Sequence, residues 1–301
     1  MKRIFLLFAL LPSLAWAGDN DDWGTWLGLD VEKSLTHNLE VGLEGGLRTM
    51  DGSSKMDRWD VGASLGYKVC KYLKFNAGYS FLHDYNPEDI KWTYGTMTYA
   101  GADVPRVDYY KKNITKEHWS SRHRFFAEAS SSVKLLKLFR ISGRLRYQYT
   151  YTPAITVDRY RYEEKTEYTQ MFTGKFDDNN NPIFENVKED PEVTRDGWDK
   201  KEKESKDRQV LRTRLKLELD KKHLAWNPFV SVEFHNNLAS SMHFDKLRTA
   251  VGTGYKINKH NAVSLAYVHT LDRVDLAQTE GYPLYKTHNF HAISASYSLD
   301  F

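Results

Sequence analysis

The chain places guanidinium and carboxylate groups at even positions in segments whose odd positions are apolar. Arg122, Arg124, Arg140, Arg144, Arg146, Arg208, Arg212, Arg214 and Lys216 follow this rule, as do Asp30, Glu32, Glu40 and Glu44 nearer the amino terminus. Side chains alternate across an extended strand, so each set shares one face of a sheet. A basic wall opposite an acidic wall creates a transverse field that can orient dipolar or charged solutes. The same groups can instead pair and fill the space between the walls, with Glu128, Glu218 and Glu233 as partners for the arginines. The residues expected to carry either role are Glu40, Glu44, Arg124, Arg144, Arg146, Arg212 and Arg214. At mid-height the arginines should face Glu44 across the interior.

Catalytic chemistry has little footing. A lipid hydrolase of an outer membrane often carries His-x-Ser on one strand face; the tripeptide occurs once, as His118-Trp119-Ser120, at the edge of a long connection. His291 and Ser294 are three apart, so they point to opposite faces. His235 and His269 are not expected to have nearby acidic and hydroxyl partners that complete a triad. There is no metal-ligand cluster, phosphate loop or dinucleotide motif. No catalytic residue, metal or cofactor is therefore expected. Asp177-Asp178-Asn179-Asn180-Asn181-Pro182 loosely follows calcium-loop spacing but lacks the sixth-position glycine and distal glutamate. Between Tyr168–Phe176 and Ile183–Val187 it reads as a hairpin turn.

Strands must position these groups. Odd residues carry the apolar face at Trp23, Leu27, Leu29 and Val31; at Leu39, Val41, Leu43 and Leu47; and at Trp59, Val61, Ala63, Leu65 and Tyr67. The pattern continues through Leu73–Phe81, Trp119–Val133, Phe139–Tyr151 and Leu211–Leu219. It changes parity at Val230, Val232 and Phe234, then returns at Leu247–Tyr255, Val263–Leu271 and Ile293–Phe301. Each run has the ~9–11 residues that a tilted strand needs to cross a bilayer. Short connections near 37–38, 70–71, 135–136, 223–227 and 258–261 alternate with longer ones near 51–55, 86–117, 160–206, 236–243 and 273–288. Lys188–Asp207, dense in mixed charge, is expected to be irregular and mobile. This is the pattern of an all-β transmembrane antiparallel barrel of ten to twelve strands. Eleven runs are visible, and eleven is odd where bacterial single-chain barrels are normally even. Either a strand is hidden or the first run is not a regular barrel member.

The amino terminus explains how such a chain would reach an outer membrane. Lys2 and Arg3 precede the apolar run Ile4–Leu14, and Ala15-Trp16-Ala17 fits a cleavage site. Residues 1–17 are expected to be a signal peptide, with 18–301 forming one barrel domain. No later stretch is apolar for the ~18 residues of a spanning helix. The lone Cys70 has no intrachain partner. Mean hydropathy is −0.64 although aromatics make up 14% of the chain, as expected when only alternate residues meet lipid. Without Lys2 and Arg3, 41 basic residues face 40 acidic ones, which argues against a nucleic-acid partner. The expected partners are outer-membrane lipid and the barrel-assembly machinery. Ile293, Tyr297, Leu299 and Phe301 form the carboxy-terminal aromatic pattern that such machinery is thought to read.

The segments WGTWLGLDVEKSLTHNLEVGLEGGLR, LGYKVCKYLKFNAGYSFL and SGRLRYQYTYT carry a further signal. Their pattern is a strand, a short turn, a strand ending in Arg, and then repeated strand pairs ending in aromatics. Over nearly the whole mature chain this resembles a family of Gram-negative exported barrel proteins catalogued as a domain of unknown function. The resemblance implies an outer-membrane location and no catalytic residues. Three readings stay open: a non-enzymatic barrel with a filled or narrow charged lumen, a small-anion or oligosaccharide porin, and a soluble periplasmic all-β binding protein. The soluble reading requires the apolar face to form an inner core.

Overall fold

The computed structural model describes residues 21–98, 106–135, 138–220, 225–239, 242–275 and 285–301. The expected signal peptide at 1–17 and its cleavage point lie outside the described residues, as do parts of five of the expected connections. The described chain contains β1 (Asp21–Ser34), β2 (Leu39–Met50), β3 (Lys55–Cys70), β4 (Leu73–Asn86), β5 (Asp89–Thr98), β6 (Arg106–Thr115), β7 (His118–Leu135) and β8 (Phe139–Thr152). It continues through β9 (Ile155–Phe176), β10 (Pro182–Lys188), β11 (Glu192–Lys203), β12 (Lys206–Leu219), β13 (Trp226–Asn237), β14 (His243–Lys256), β15 (Asn261–Asp275) and β16 (Tyr285–Asp300).

Eleven strands close into a barrel in the order β1-β16-β15-β14-β13-β12-β8-β7-β4-β3-β2. The odd count is real, and β1 is a full member. Closure is achieved by a parallel seam in which Asp21 pairs with Asn289 and the register runs on to Glu32 with Asp300. The last residue joins this seam: Phe301 N–H donates to the Glu32 carbonyl at 2.9 Å, and Ser34 N–H to the Phe301 carbonyl at 3.1 Å. Successive barrel strands elsewhere pair antiparallel, so closing an odd number forces one parallel contact.

The faces follow the sequence alternation. Leu27, Leu43, Val61, Leu65, Phe125, Leu145, Leu215 and Leu265 are exposed on the outside. Val230 and Val232 stand opposite Leu217 and Leu215 in register, so the change of parity keeps the same face outward. The inside carries buried Glu40, Asp84, Glu128, Gln148 and Glu233, with few apolar groups such as Leu82 and Val210. The outer face also holds a belt of rings near the rim where β1 begins. Trp23 stacks on His291 at 4.9 Å, and Trp59 packs on His83 at 5.4 Å. Trp226 and Tyr255 pack at 4.7 Å toward the opposite rim.

The loop contrast is weaker than the alternation suggests. Asp51–Ser54 is a tight hairpin turn with left-handed Asp51, Gly52 and Ser53, no longer than the turn at 35–38. The real insertions lie between β4 and β7 and between β8 and β12, and they form a second unit of their own. Here β9 is central. It pairs with β6 on one edge and with β11 and β10 on the other, and β5 extends the β6 side. The hairpin at Asp177–Asn181 is as expected: the Asp177 carboxylate accepts from the Asn179 and Asn181 amides at 2.9 and 2.8 Å. The charged stretch expected to be irregular contains β11 instead, laddered against β9 from Glu192 to Lys203. Charges there pair with β9, as Asp199 does with Arg159 and Lys200 with Asp158, and Trp198 packs on Tyr160, which stabilises a strand of little apolar content.

Candidate functional site: the charged lumen

The arginines on the inner face of β8 and β12 are brought level by register: Arg146 stands beside Arg212, and Arg144 beside Arg214. Two carboxylates from neighbouring strands hold them. Glu233 on β13 accepts from Arg144 at 2.5 Å and Arg212 at 2.6 Å, with Arg248 at 3.7 Å and His235 Nε2 at 2.8 Å. Glu128 on β7 takes Arg146 at 2.6 Å and Arg144 at 3.7 Å. Both acids are buried. Together they make a girdle of ion pairs at mid-height. His235 does have an acidic neighbour, two residues away on its own strand face, contrary to expectation. It joins this girdle and has no hydroxyl in hydrogen-bond reach among the described residues.

Glu44, expected to face the arginines across the interior, stands on the opposite wall of the ring and makes its contacts locally rather than with them. It accepts from Ser80 Oγ at 2.6 Å and lies opposite Asp30 in register. A Cβ at Gly62 would meet the Glu44 carboxylate at 2.6 Å, so glycine on β3 makes room for it. Glu40 is held by Lys68 of the adjoining β3 at 2.9 Å and by Lys74 of β4, one strand further on. Charges are therefore satisfied locally along each wall, because neighbouring strands sit ~5 Å apart and the lumen is wider. Arg214 lines a smaller cavity with Lys216 and Glu218.

The wider cavity, of about 680 Å³, lies toward the rim where β1 begins. Nine Arg and Lys side chains and four Asp line it. Asp84 clamps Arg58 and Arg122, the latter at 2.6 and 2.5 Å, and Lys246 pairs with Asp272 at 2.8 Å. Arg124, expected in the lumen, is here, and it has no ion pair or hydrogen bond among the described residues. Sequence reasoning missed Trp26, Arg48 and Arg248, which meet here from β1, β2 and β14. Their even parity was the available signal, and a tryptophan on an otherwise polar face was the anomaly to follow.

One histidine–hydroxyl contact was also missed. His83 Nδ1 and Ser121 Oγ are 3.2 Å apart across β4 and β7. They belong to the outer ring belt, where His83 packs on Trp59 and Phe81. Ile293, Tyr297 and Leu299 also point outward, and Tyr297 hydroxyl donates to Asn261 Oδ1.

These features define a class: an all-β closed barrel of eleven strands with an apolar exterior and a charged, internally paired lumen. The chain belongs to the family described as Protein of unknown function (DUF2490), whose model matches residues 23–277, from β1 through β15. A comparison with curated proteins finds no match.

Proposed function

We propose that this chain is a non-enzymatic outer-membrane barrel whose lumen is closed at mid-height and does not conduct. Supporting the location are the export-type amino terminus, the exposed apolar exterior and the ring belts near both rims. The soluble reading needs the apolar face inside, and that face is outside. The observation that carries the closed lumen is the Glu128–Glu233 girdle. On β12 the wide cavity takes residues 206–212 and the small cavity takes residues 214–218, with no lining residue in common. Arg144, Arg146 and Arg212 stand at the junction of the two cavities. An eleven-stranded barrel lies between the eight-stranded size that side chains fill and the sixteen-stranded size that leaves an aqueous channel.

The test is refolding of the whole chain into planar bilayers. No conductance steps are expected, while unboiled protein should migrate differently from boiled protein on a gel, since every backbone group pairs in a closed sheet. Anion-selective steps would establish the porin reading instead. Ester hydrolysis that disappears in Ser121→Ala would overturn the non-enzymatic assignment and give the His83–Ser121 contact a catalytic role.

A further inference from the structure

We infer that the wide cavity is a binding site for a multivalent oxyanion of the phosphoryl type, gripped by Arg48 and Arg124 beside the face of Trp26. This goes beyond a closed lumen and holds whether or not the girdle conducts.

The argument starts from what is missing. Arginines in enclosed places are normally matched with carboxylates, because a fixed cation without a partner is costly. The girdle below this cavity obeys that rule, and so do Arg58, Arg122 and Arg212 at its edge. Arg48 and Arg124 do not. Neither makes an ion pair or hydrogen bond with any described residue, and Arg124 Nε and Trp26 Nε1 are enclosed N–H donors without an acceptor. Arg124 lies among Arg58, Arg212, Arg48 and Arg122 with no carboxylate offsetting them, while Arg48 lies near Arg58 and Arg212 and also near Asp60 and Asp57. The cavity thus gathers donors and positive charge beyond what its own carboxylates absorb.

The cations are held in place by something other than acids. Arg48 and Arg248 each lie over the Trp26 indole at 4.7 Å, and Phe290 stacks on the same indole at 6.0 Å and 14°. Cation–π contact orients a guanidinium while leaving its N–H fork free. A planar fork pre-aimed this way suits a tetrahedral oxyanion, which accepts two parallel hydrogen bonds. A structural role would more simply be filled by a glutamate in place of Trp26. The cavity has room for an anion larger than orthophosphate, such as a diphosphate or a sugar phosphate. A free phosphorylated small molecule and a phospholipid headgroup share this chemistry.

The test uses the refolded whole chain in a neutral detergent, titrated with inorganic pyrophosphate by calorimetry and by thermal shift. Pyrophosphate should bind and raise the transition temperature, and binding should weaken as salt rises. Glucose 6-phosphate should bind and glucose should not. Arg48→Gln with Arg124→Gln should lower affinity at least tenfold. Arg124 has no ion pair or hydrogen bond to lose, so the single Arg124→Gln variant should fold as well as the parent or melt slightly higher, whereas Arg48→Gln also gives up the contact with Trp26. A Lys71→Gln, Lys259→Gln variant removes equal charge at the opposite rim and should bind pyrophosphate normally. If the double arginine variant folds poorly, the single Arg124→Gln variant carries the same expectation. Phosphatidic acid in mixed micelles separates the sources: competition with pyrophosphate identifies a headgroup site, and its absence a soluble ligand, both within the proposed chemistry. No pyrophosphate binding, equal binding by the arginine variants, or a lower melting temperature for Arg124→Gln without ligand would overturn the proposal.

Discussion

Two carboxylates in this protein each gather a group of arginines, and their surroundings could hardly differ more. Glu233 sits inside the barrel with Arg144, Arg212 and Arg248 around it, and its side chain is 5% exposed. Asp199 on β11 is held by Arg159 at 2.9 Å, by Arg161, and by Arg195 at 3.0 Å in the inserted sheet, with 21% of its side chain exposed. The hydrogen-bond inventory is almost the same. What differs is what each hub could do without its acid. Around Asp199 water can serve the arginines at once. Around Glu233 the arginines face low-dielectric walls and one another. The value of an ion-pair hub is thus set less by its contacts than by the alternative open to the partners left behind.

The largest expected effect tests that directly. Glu233→Gln keeps the shape and removes the charge, leaving three guanidinium groups without their common acceptor. It should destabilise the barrel by about 3–5 kcal/mol, the usual cost of breaking a buried pair. The temperature at which the unboiled gel species converts to the unfolded one measures this. A shift no larger than that of a surface substitution would mean that the lumen is wet and the girdle leaky.

A smaller effect is expected where the closure relies on backbone. Deleting Phe301 removes the two seam hydrogen bonds to Glu32 and Ser34, each worth roughly 0.5–1.5 kcal/mol. The folded fraction should fall, and Phe301→Ala, which keeps both bonds, should fold better than the deletion. Equal loss in both variants would assign the role to the ring, as an assembly signal or lipid anchor requires.

The smallest effect belongs to Asp199. Arg159 first, and Arg161 with it, hold the carboxyl down at about 2, below its ordinary value near 4. A depressed carboxyl contributes stability above the ordinary value and loses it as pH falls toward about 2. Asp199→Asn should therefore change little at neutral pH, less still at high salt. It should remove part of the acid sensitivity of the inserted sheet, read by limited proteolysis between pH 5 and 2. A large neutral-pH effect would erase the contrast with Glu233.

Much of this could be read from single residues. Strict alternation placed Leu43, Leu65 and Leu215 on one face and Arg144 and Arg212 on the other, because period two leaves a strand no choice. The parity change at Val230 and the turn at Asp177–Asn181 were equally local. What escaped were partnerships between distant strands. Nothing within β1 or β16 announces that they pair in parallel. The partner of Arg144 was identifiable only as a set of candidate acids, and Glu44, picked to face it, is held by Ser80. β11 was hidden because its support comes from β9 rather than from its own composition. Trp26, Arg48 and Arg248 come from three strands that meet only when the barrel closes.

The parallel seam has one more consequence. In a barrel with an even number of strands, the first and last strands form an ordinary hairpin-like neighbour pair, and a few residues could reconnect them. Here the start of β1 and the end of β16 lie at opposite rims, a strand length of roughly 40 Å apart at ~3.3 Å per residue. Circular permutation through a short linker is therefore barred by topology alone. A tag fused ahead of β1 and a tag fused behind β16 would report from opposite ends of the barrel.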